Sequence, residues 1–440
     1  MTRILLIYPY FKPWNDRSIF RFPPLGLGYI ASSLRNNGFD VDILDCTFMS
    51  REDALKKAKD AGANVVGIYS MLSMRKDSIR FASDLKDHCD LLVAGGPLPS
   101  IDPVSFIKDF DIVVRGEGEK TMLDVLRAYE TGTNSEFIKG IVFKRGELET
   151  DLDQIAFPAR DLFPNEEYIK YGKKKTGYAT TTVFTTRGCP FRCEFCSNPV
   201  FGVSYRERSP INVLDEVEEA FSLGYDRIHF ADDVFTLNKE RVFEICTEIG
   251  KRGLDFKWEC LGRVDSIDKD LAVKMKEAGC DRIFFGIESG NDGILRIMNK
   301  KITVEAARKA VNSAHDAGIR TGAFFILCYP GETDGTVLDT LRFATRLPLD
   351  YLSFTLPYPL QGTALFERVK HKINKEWDSP GGFISDHVLI YDAEFSETKM
   401  KFAILKGQVQ FGLRKRLGNH AYVVVKPFEF LTDGIFQLLI

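Results

Sequence analysis

The sequence has almost no excess of charge of either sign. Its 440 residues include 59 Lys and Arg against 62 Asp and Glu, for a formal net charge of −3 at pH 7, and they contain no long run of Lys or Arg. A nucleic-acid surface or a polybasic membrane patch would need such a run, because both bind through concentrated positive charge. The charge balance therefore favours a protein that acts on small molecules.

Long apolar stretches are also missing. Charged residues interrupt every candidate before it reaches the roughly 20 apolar residues that a membrane-spanning helix requires. The first apolar run, residues 4–8, is short and is not followed by a small-residue cleavage site, so it predicts a first strand and not a signal peptide. We therefore expect a cytoplasmic protein.

Nine cysteines are present, but a disulfide framework is not expected in an intracellular chain of this size. Six of them stand singly in apolar segments, where cysteine is usually a small core residue: Cys46, Cys89, Cys246, Cys260, Cys280 and Cys328. The other three fall within eight residues, and that density indicates a metal site.

Length and periodicity predict several domains. A chain of 440 residues exceeds a single ordinary core, so two or three domains are expected. Residues 1–150 alternate five short apolar strands with helical patterns, which predicts an α/β domain with a doubly wound, five-stranded parallel sheet. Residues 151–180 lose this periodicity and gain Pro158, Pro164 and a lysine run, as a linker does.

The carboxyl edge of the predicted sheet concentrates loop-forming residues. Ligands bind at this edge in doubly wound sheets, and glycines there let the backbone approach a bulky ligand. Helix-entry turns would explain any single loop, but several on one edge favour a ligand site. Its candidate residues are Pro24 and Leu25 after strand 1, Ser70 after strand 3, Gly95 and Gly96 after strand 4, and Gly116, Glu117 and Gly118 after strand 5.

The clustered cysteines have the spacing Cys-x3-Cys-x2-Cys, at Cys189, Cys193 and Cys196. Three thiolates at this spacing can hold three irons of a 4Fe-4S cluster and leave the fourth iron open to a ligand. A zinc site would need a fourth ligand, and the next candidates, His229 and Cys246, lie far outside zinc-finger spacing. We therefore expect an iron-sulfur cluster with one open coordination position.

The motif RGCPFRCEFC, residues 187–196, resembles the signature of the radical S-adenosylmethionine (SAM) superfamily. In that family the amine and carboxylate of SAM chelate the open iron, and an electron from the cluster cleaves SAM to a 5′-deoxyadenosyl radical. The resemblance implies that Phe195, which precedes the third cysteine, packs by the adenine. It also implies an oxygen-sensitive enzyme that receives electrons from a flavodoxin or ferredoxin.

Residues 181–366 carry six strand and helix patterns that fit the partial (β/α)6 barrel of this family. Barrel chemistry lies at the C-terminal ends of strands, where polar residues follow three of the predicted strands. The resemblance implies that these residues contact SAM: Asp232, Asp233, Arg263, Glu288 and Ser289. Alternatively, Asp232 and Asp233 cap the next helix, and Ser289 caps the one that follows it.

A five-stranded doubly wound domain before the barrel resembles the cobalamin-binding branch of the superfamily. The segments PPLGLGYIASSLRNNG, AGGP and RGEGE resemble the loops of that branch, and the likeness extends to about Phe366. The Asp-x-His-x-x-Gly motif, which supplies an axial histidine in many cobalamin proteins, is absent, and His88 is the only histidine in this half. Many members of the branch bind cobalamin without a histidine on cobalt, so the resemblance still implies this cofactor.

The resemblance implies a reaction as well. The deoxyadenosyl radical would abstract hydrogen from an unactivated carbon of a small-molecule or lipid-like substrate, and methylcobalamin would deliver a methyl group. Two alternatives stay open: a cyclisation like that of anaerobic magnesium-protoporphyrin IX monomethyl ester cyclase, and a non-catalytic corrinoid and iron-sulfur binding module. A methylthiotransferase would need three further cysteines in the N-terminal domain, which has only Cys46 and Cys89.

Cys328 and Tyr329 begin the segment CYPGE, which resembles a family motif at the mouth of the fifth barrel strand. We regard both as candidate catalytic residues, although Cys328 also fits the description of a small buried residue. Residues 367–440 carry no family motif. We expect helices there that cap the barrel and shape the substrate pocket.

Overall fold

The computed structural model describes residues 2–11, 21–132, 148–197, 200–375, 389–418 and 421–439, and only the backbone of residues 421–425. The chain divides into two compact units. The first comprises Met1–Pro190 and Asn198–Ile228, and the second comprises Phe191–Ser197 and His229–Ile440.

The first sheet has the strand order β2-β1-β3-β4-β5, and each neighbouring pair is parallel. Leu5 and Ile7 of the first strand belong to one buried cluster and Ile4 and Leu6 to another, because successive residues of a strand face opposite sides. The prediction of a doubly wound five-stranded sheet is confirmed. The strands are β1 (Arg3–Tyr8), β2 (Asp40–Asp45), β3 (Val65–Tyr69), β4 (Leu91–Gly95) and β5 (Ile112–Val113).

Helices cover both faces of this sheet: α1 (Leu25–Asn36), α2 (Arg51–Asp60), α3 (Arg75–Leu85), α4 (Pro97–Ile101) and α5 (Gly118–Thr131). Buried residues of α1 and α5 join one apolar cluster, and those of α2 and α3 join the other. The fourth helix is short because Pro103 has no N–H to continue it and holds Asp102 outside the helical region, at φ −128° and ψ 66°. Only a 3-10 turn, Pro103–Ser105, follows.

The second sheet has six strands in the order β13-β12-β11-β10-β9-β6. The pairs β10 with β11, β11 with β12 and β12 with β13 are parallel, so the predicted partial barrel is confirmed. A short antiparallel pair, β7 and β8, follows the first of these strands. The strands are β6 (Thr180–Val183), β7 (Thr186–Arg187), β8 (Arg206–Glu207), β9 (Arg227–Phe230), β10 (Lys257–Gly262), β11 (Cys280–Glu288), β12 (Arg320–Ile326) and β13 (Tyr351–Thr355).

The segment predicted as a linker contains a helix, α6 (Asn165–Thr176). Lys173, Lys174 and Lys175 form its last turn, where cations interact favourably with the helix dipole, and Gly177 ends it in the left-handed region at φ 84°. The remaining helices are α7 (Pro210–Ser222), α8 (Lys239–Lys251), α9 (Lys269–Glu277), α10 (Asp292–Ile297), α11 (Val304–Asp316), α12 (Asp334–Arg346), α13 (Ala364–Val369), α14 (Glu397–Leu417) and α15 (Ala421–Leu438).

Within the described part of residues 367–440 the regular elements are helices, as expected, apart from an isolated antiparallel bridge between Ile373 and Tyr391. Helix α14 packs against α12, β13 and α15. Within the described part of the chain, none of the helices combines the length and the apolar character that crossing a membrane would take.

Candidate active site

The cysteine motif forms an irregular loop after β7. Gly188 has a φ of 86°, and a Cβ at this position would lie 2.2 Å from the carbonyl oxygen of Ser204, so the loop requires glycine here. Cys189 and Cys193 are partly buried, and Cys196 is exposed. The three thiols are thus held in a loop and do not belong to the apolar core.

Among the residues that the structure describes, no group of three or more His, Cys, Asp or Glu side chains lies close enough together to hold a metal ion. The donor set of the loop is nevertheless entirely sulfur, which is the ligand chemistry of iron-sulfur clusters. The residues therefore fit such a cluster by donor type and spacing. The assignment of Cys189, Cys193 and Cys196 as its ligands stays a prediction.

Two cations act on the second cysteine. Burial raises the pKa of the Cys193 thiol, while the positive charges of Lys300 and Arg263 act in the opposite direction. Both cations are themselves buried, with less than a tenth of either residue exposed. Positive charge beside a thiol favours its thiolate form, which is the form that binds iron.

Lys300 forms a buried ion pair with Glu288 at the end of β11. The distance from Lys300 Nζ to Glu288 Oε1 is 2.9 Å, and the carboxylate keeps the pKa of Lys300 raised although burial alone would lower it. Glu288 has a φ of 71°, which is uncommon for a residue with a side chain. Gly286 makes room for the pair, because a Cβ there would lie 2.6 Å from Glu288 Oε1. Strained backbone of this kind occurs mostly at functional sites.

Arg263, which follows β10, is fixed from three sides. Its guanidinium carbon lies 3.5 Å from the centre of the Phe191 ring. Its Nε and Nη2 donate to the two carboxylate oxygens of Asp265 at 2.9 and 2.8 Å, and Nη2 also donates to the backbone oxygen of Lys300 at 3.2 Å. The site thus contains two adjacent pairs of opposite charge, Arg263 with Asp265 and Lys300 with Glu288.

Aromatic rings border these ion pairs. Lys300 Nζ lies 5.8 Å from the centre of the Phe195 ring, and that ring meets Tyr329 edge to face at 6.4 Å. The Tyr329 hydroxyl donates to Glu194 at 3.3 Å, and burial raises its pKa. The structure therefore brings four predicted site residues, Phe195, Arg263, Glu288 and Tyr329, together around Lys300 and its neighbours.

Cys328 directly precedes Tyr329 and is almost fully buried, with a φ of 61°. Burial raises the pKa of its thiol well above the ordinary value, and the negative charge of Glu332 adds to this effect. The thiol is therefore protonated at neutral pH. Its burial agrees with the description of a small core residue. A positive φ is, however, uncommon for a residue with a side chain, so the backbone of Cys328 is unusual within the loop after β12.

The capping alternative for the acidic residues after β9 is wrong. The side chain of Asn238 caps α8 by accepting from the N–H of Arg241, so Asp232 and Asp233 do not perform this task. Asp232 is buried and Asp233 is exposed.

Ser289 does not cap α10 either. The side chain of Asn291 caps that helix and accepts from the N–H groups of Gly293 and Ile294. The hydroxyl of Ser289 instead lies 3.0 Å from that of Thr340 and accepts from the N–H of Asn291. In this structure Ser289 supports the loop after β11.

Three predicted ligand residues meet at the ends of β3 and β4 in the first unit. The N–H of Ser70 donates to the Gly95 oxygen at 2.8 Å. Gly96 has a φ of 106°, and a Cβ there would lie 2.8 Å from the Ser70 oxygen. The N–H of Gly116 donates to the Ser100 hydroxyl at 3.0 Å, so the loop before α5 is tied to α4. These contacts form an edge lined by glycine residues, and on such an edge the backbone can approach a large ligand closely.

The other predicted residues of this edge begin helices. Pro24 and Leu25 lie at the start of α1, and Gly118 is the first residue of α5. Glu117 is held differently, because its carboxylate is paired with two buried guanidinium groups, those of Arg187 (at 2.8 Å) and Arg206. This pairing directs the Glu117 side chain towards the β7 and β8 strands.

Several site residues were not anticipated from the sequence. Lys300 carries no local signal, because a lysine becomes recognisable as a site residue only when the fold buries it against Glu288. Arg187 and Phe191 lie inside the cysteine motif and could have been found there, whereas Arg206 is identified only by its contact with Glu117.

Comparison with known proteins agrees with this architecture. The model of the radical SAM superfamily matches residues 183–344, and the model of the B12 binding domain matches residues 17–126. An uncharacterized methyltransferase of Pyrococcus horikoshii is 36% identical over 386 residues, which is 83% of this chain and 83% of the relative. The chain therefore belongs to the radical SAM superfamily, with a B12 binding domain in front of the barrel.

Two further proteins show how far the likeness extends. The anaerobic magnesium-protoporphyrin IX monomethyl ester cyclase of Cereibacter sphaeroides is 27% identical over 397 residues, which cover 84% of this chain and 64% of the cyclase. The radical SAM methyltransferase TsrM from Kitasatospora setae, solved with cobalamin and a [4Fe-4S] cluster, aligns with a TM-score of 0.71 and 20% identity. That alignment covers 84% of this chain and 78% of TsrM, and it shows a shared fold.

Proposed function

We propose that the protein is a cobalamin-dependent radical SAM methyltransferase. Its reaction would place a methyl group on an unactivated carbon of a small molecule, lipid-like molecules included. The observation that carries the proposal is a pair of buried cations beside the aromatic rings of the cysteine motif: Lys300 pairs with Glu288 at 2.9 Å, and Arg263 pairs with Asp265 at 2.8 Å. Membership of the superfamily and the methyltransferase relative support the same assignment.

The charged groups suit the amino-acid portion of SAM, which carries one ammonium and one carboxylate group. Glu288 would accept hydrogen bonds from the ammonium, and Arg263 would pair with the carboxylate. Both side chains are buried, so their interactions with a ligand would be stronger than in water. Phe195, next to Lys300, would lie against the adenine, and Asp232, Asp233 and Ser289 would complete the contacts.

The three thiolates of Cys189, Cys193 and Cys196 would hold the 4Fe-4S cluster, which supplies the electron that cleaves SAM when it is bound. The electron would come from a flavodoxin or ferredoxin in the cytoplasm. Cobalamin, which supplies the methyl group when it is bound, would lie on the edge formed by Pro24, Leu25, Ser70, Gly95, Gly96, Gly116 and Gly118. On that edge the backbone can approach a large ring closely. Glu117 would support this edge through Arg187 and Arg206.

Anaerobic reconstitution tests the proposal. Purified protein supplied with iron, sulfide, SAM, cobalamin and a reductant should hold about four irons per chain and release both 5′-deoxyadenosine and S-adenosylhomocysteine, measured by mass spectrometry. The variant with Cys189, Cys193 and Cys196 all replaced by Ala should form neither product. Bound zinc in place of iron, or a wild-type protein that cleaves no SAM, would refute the proposal and leave a binding module.

A cyclisation is the second candidate, supported by the likeness to the cyclase of Cereibacter sphaeroides. The same assay separates it from methyl transfer. Release of 5′-deoxyadenosine without S-adenosylhomocysteine would favour cyclisation or rearrangement, because no methyl group would then leave SAM.

We also propose a chemical role for Cys328 and Tyr329 at the end of β12. A protonated thiol and a phenol are both able to give up a hydrogen atom or a proton near a substrate. Cys328→Ala and Tyr329→Phe should lower product formation while SAM cleavage continues. Full turnover by either variant would assign that residue a packing role.

A further inference from the structure

The last two helices have the reverse of the polarity expected at a protein surface. A surface helix normally turns its apolar face to the core and its polar face to water. In α15 the polar residues Glu429 and Thr432 are buried, whereas Phe430 is 84% exposed, Leu431 64% and Leu438 82%. The exposed side of this helix is therefore mainly apolar, with Lys426 and Gln437 as its exposed polar residues.

Ion pairs explain why the polar side of α15 faces inwards. Asp433 binds Arg342 at 2.5 Å and Lys406 at 2.7 Å, so a cation from α12 and one from α14 share this carboxylate. Glu429 binds Arg414 at 3.1 Å and lies 3.7 Å from Arg346, again one cation from each helix. The helix is thus attached to the second unit through these ion pairs and through the buried Phe436, while Phe430, Leu431, Ile435 and Leu438 stay exposed.

Helix α14 shows the same reversal over its middle turns. Lys406 and Gln410 are buried, while Leu405 and Val409 on the other side are exposed. Single exposed apolar residues are ordinary on a protein surface. Two packed helices that each bury charged or amide side chains and leave several leucine, valine or phenylalanine side chains exposed are less ordinary, even though Ile404 and Phe436 are buried. Such surfaces usually bind another apolar surface.

The charges around this apolar surface are of one sign. Glu429 and Asp433 are the only acidic residues between positions 398 and 439, and both are paired on the inner side. From position 398 onwards, the exposed charged residues within the described part of α14 and α15 are Lys415, Arg416 and Lys426, which are all positive. Negatively charged lipid headgroups complement this arrangement, because an apolar helix face flanked by Lys and Arg can lie in the membrane interface.

A second copy of the chain complements the surface less well. A symmetric dimer places the same patch of both copies in contact, so the positive rim of one would face the positive rim of the other. A membrane-spanning arrangement is not available to the described helices. We propose that α14 and α15 form a peripheral membrane anchor, in which Leu405, Phe430, Leu431 and Leu438 enter the interface of an anionic bilayer and Arg416 and Lys426 contact its headgroups.

Vesicle flotation of the full-length, anaerobically reconstituted protein tests this anchor without any measurement of turnover, so its outcome is independent of the proposed reaction. Wild-type protein should float with vesicles of phosphatidylcholine containing 30% phosphatidylglycerol at least five times more than with phosphatidylcholine alone. Replacement of both Phe430 and Leu438 by Ser should weaken binding at least tenfold. Val104→Ser, at an apolar residue of the first unit that is 72% exposed, is the control and should bind as wild type does.

A variant without two of the positive charges tests whether basic residues of the anchor contact the lipid headgroups. Arg416→Gln combined with Lys426→Gln changes two exposed side chains and should abolish the preference for anionic vesicles, with an unchanged thermal unfolding midpoint. The anchor is refuted if wild type floats with neither vesicle, or if the Phe430 and Leu438 variant floats as well as wild type. It is also refuted if light scattering shows a wild-type dimer that this variant converts to a monomer while no form binds vesicles, because a second copy would then cover the surface.

Discussion

At the scale of single residues, the carboxyl group of Glu332 is held inside the loop after β12. It is 5% exposed, and one of its oxygens accepts from the N–H of Tyr329 at 2.9 Å. The other oxygen, Oε1, has no hydrogen-bond partner among the described residues. Burial raises the pKa of Glu332 from 4.5 to about 7, against the opposing effect of backbone hydrogen bonds from Tyr329 and Cys328.

This raised pKa predicts a pH effect on stability. Between about pH 4.5 and 7 the folded protein binds more protons at Glu332 than the unfolded chain, so the free energy of unfolding falls as the pH rises and the loss is complete above pH 7. Glu332→Gln is neutral at every pH and should be more stable than wild type at pH 8, by about 1–3 kcal/mol, and similar to it near pH 5. Urea denaturation of both proteins at the two pH values checks this prediction. If the free energies of unfolding of Glu332→Gln and wild type differed by the same amount at pH 5 and at pH 8, the prediction would be contradicted.

The buried ion pair at the end of β11 leads to a prediction about SAM. Glu288→Gln removes the negative charge beside Lys300 and should weaken SAM binding at least tenfold, since one charge-assisted interaction contributes about 1.5–3 kcal/mol. The iron content should not change, because Glu288 supplies no thiolate. Titration calorimetry under nitrogen measures the affinity. Glu305→Gln, an exposed glutamate on α11, serves as the control, and equal affinities for both variants would rule out contact between Glu288 and SAM.

At the scale of elements, two glycines of α14 differ in what surrounds them. A Cβ on Gly407 would lie 2.4 Å from the Phe354 ring and 2.8 Å from Leu341, whereas a Cβ on Gly412 would meet nothing within 4 Å. The first glycine therefore allows α14 to pack closely on β13 and α12. The second serves no packing purpose in the helix.

Alanine should accordingly have opposite effects at these two positions. Gly407→Ala should destabilise the protein by about 1–3 kcal/mol, because overpacking displaces α14 from its neighbours. Gly412→Ala should stabilise it by about 0.5–1 kcal/mol, which is the helix-propensity difference between the two residues. Thermal unfolding followed by circular dichroism compares them. Stabilisation by both substitutions would show that α14 does not pack closely at Gly407.

A second comparison concerns ion pairs in the first unit. Glu216 is fully buried and binds Arg160 at 2.5 Å, with Arg208 as its second partner, whereas Arg35 and Asp161 form an exposed pair at 2.8 Å. Arg160→Met leaves the buried Glu216 with one cation, Arg208, and with the hydroxyl of Tyr29 as a hydrogen-bond donor, and should cost about 3–5 kcal/mol. Arg35→Met should cost less than about 1 kcal/mol, because water screens the exposed pair. The midpoints of thermal unfolding of the two variants test this prediction. Similar losses of stability in both would show that burial does not set the contribution of these ion pairs.

At the scale of the whole molecule, the cluster cysteines lie outside the apolar core, since Cys189 and Cys193 are partly buried and Cys196 is exposed. The variant with all three replaced by Ala should therefore unfold at nearly the same temperature as wild-type protein without iron. Reconstituted wild type should unfold at a higher temperature, because a ligand that binds only the folded state stabilises it. Calorimetry under nitrogen checks both statements. If the triple variant failed to fold while iron-free wild-type protein folded, the result would show that these cysteines support the core.

Much of the fold follows from local pattern. The strands β9 to β13 coincide with apolar segments found in the sequence, and β1 alternates its side chains between two cores. Helix α6 was not predicted within residues 151–180 for a local reason too. It lacks a strong apolar stripe, and Tyr168 is its one buried residue within the described structure, so the segment has the pattern of a linker.

The sequence by itself determined the cysteine spacing, the order of sheet and barrel, and the residues that end the barrel strands, because each of these depends on neighbours within a few positions. Only the tertiary structure decided that Lys300 pairs with Glu288 and that Glu117 pairs with Arg187. It also decided that the acidic side chains of α15 face the protein interior, where Asp433 binds Lys406. Those outcomes depend on charges brought together from distant parts of the chain. Burial makes their pairing necessary, since an isolated charge removed from water costs far more than a paired one.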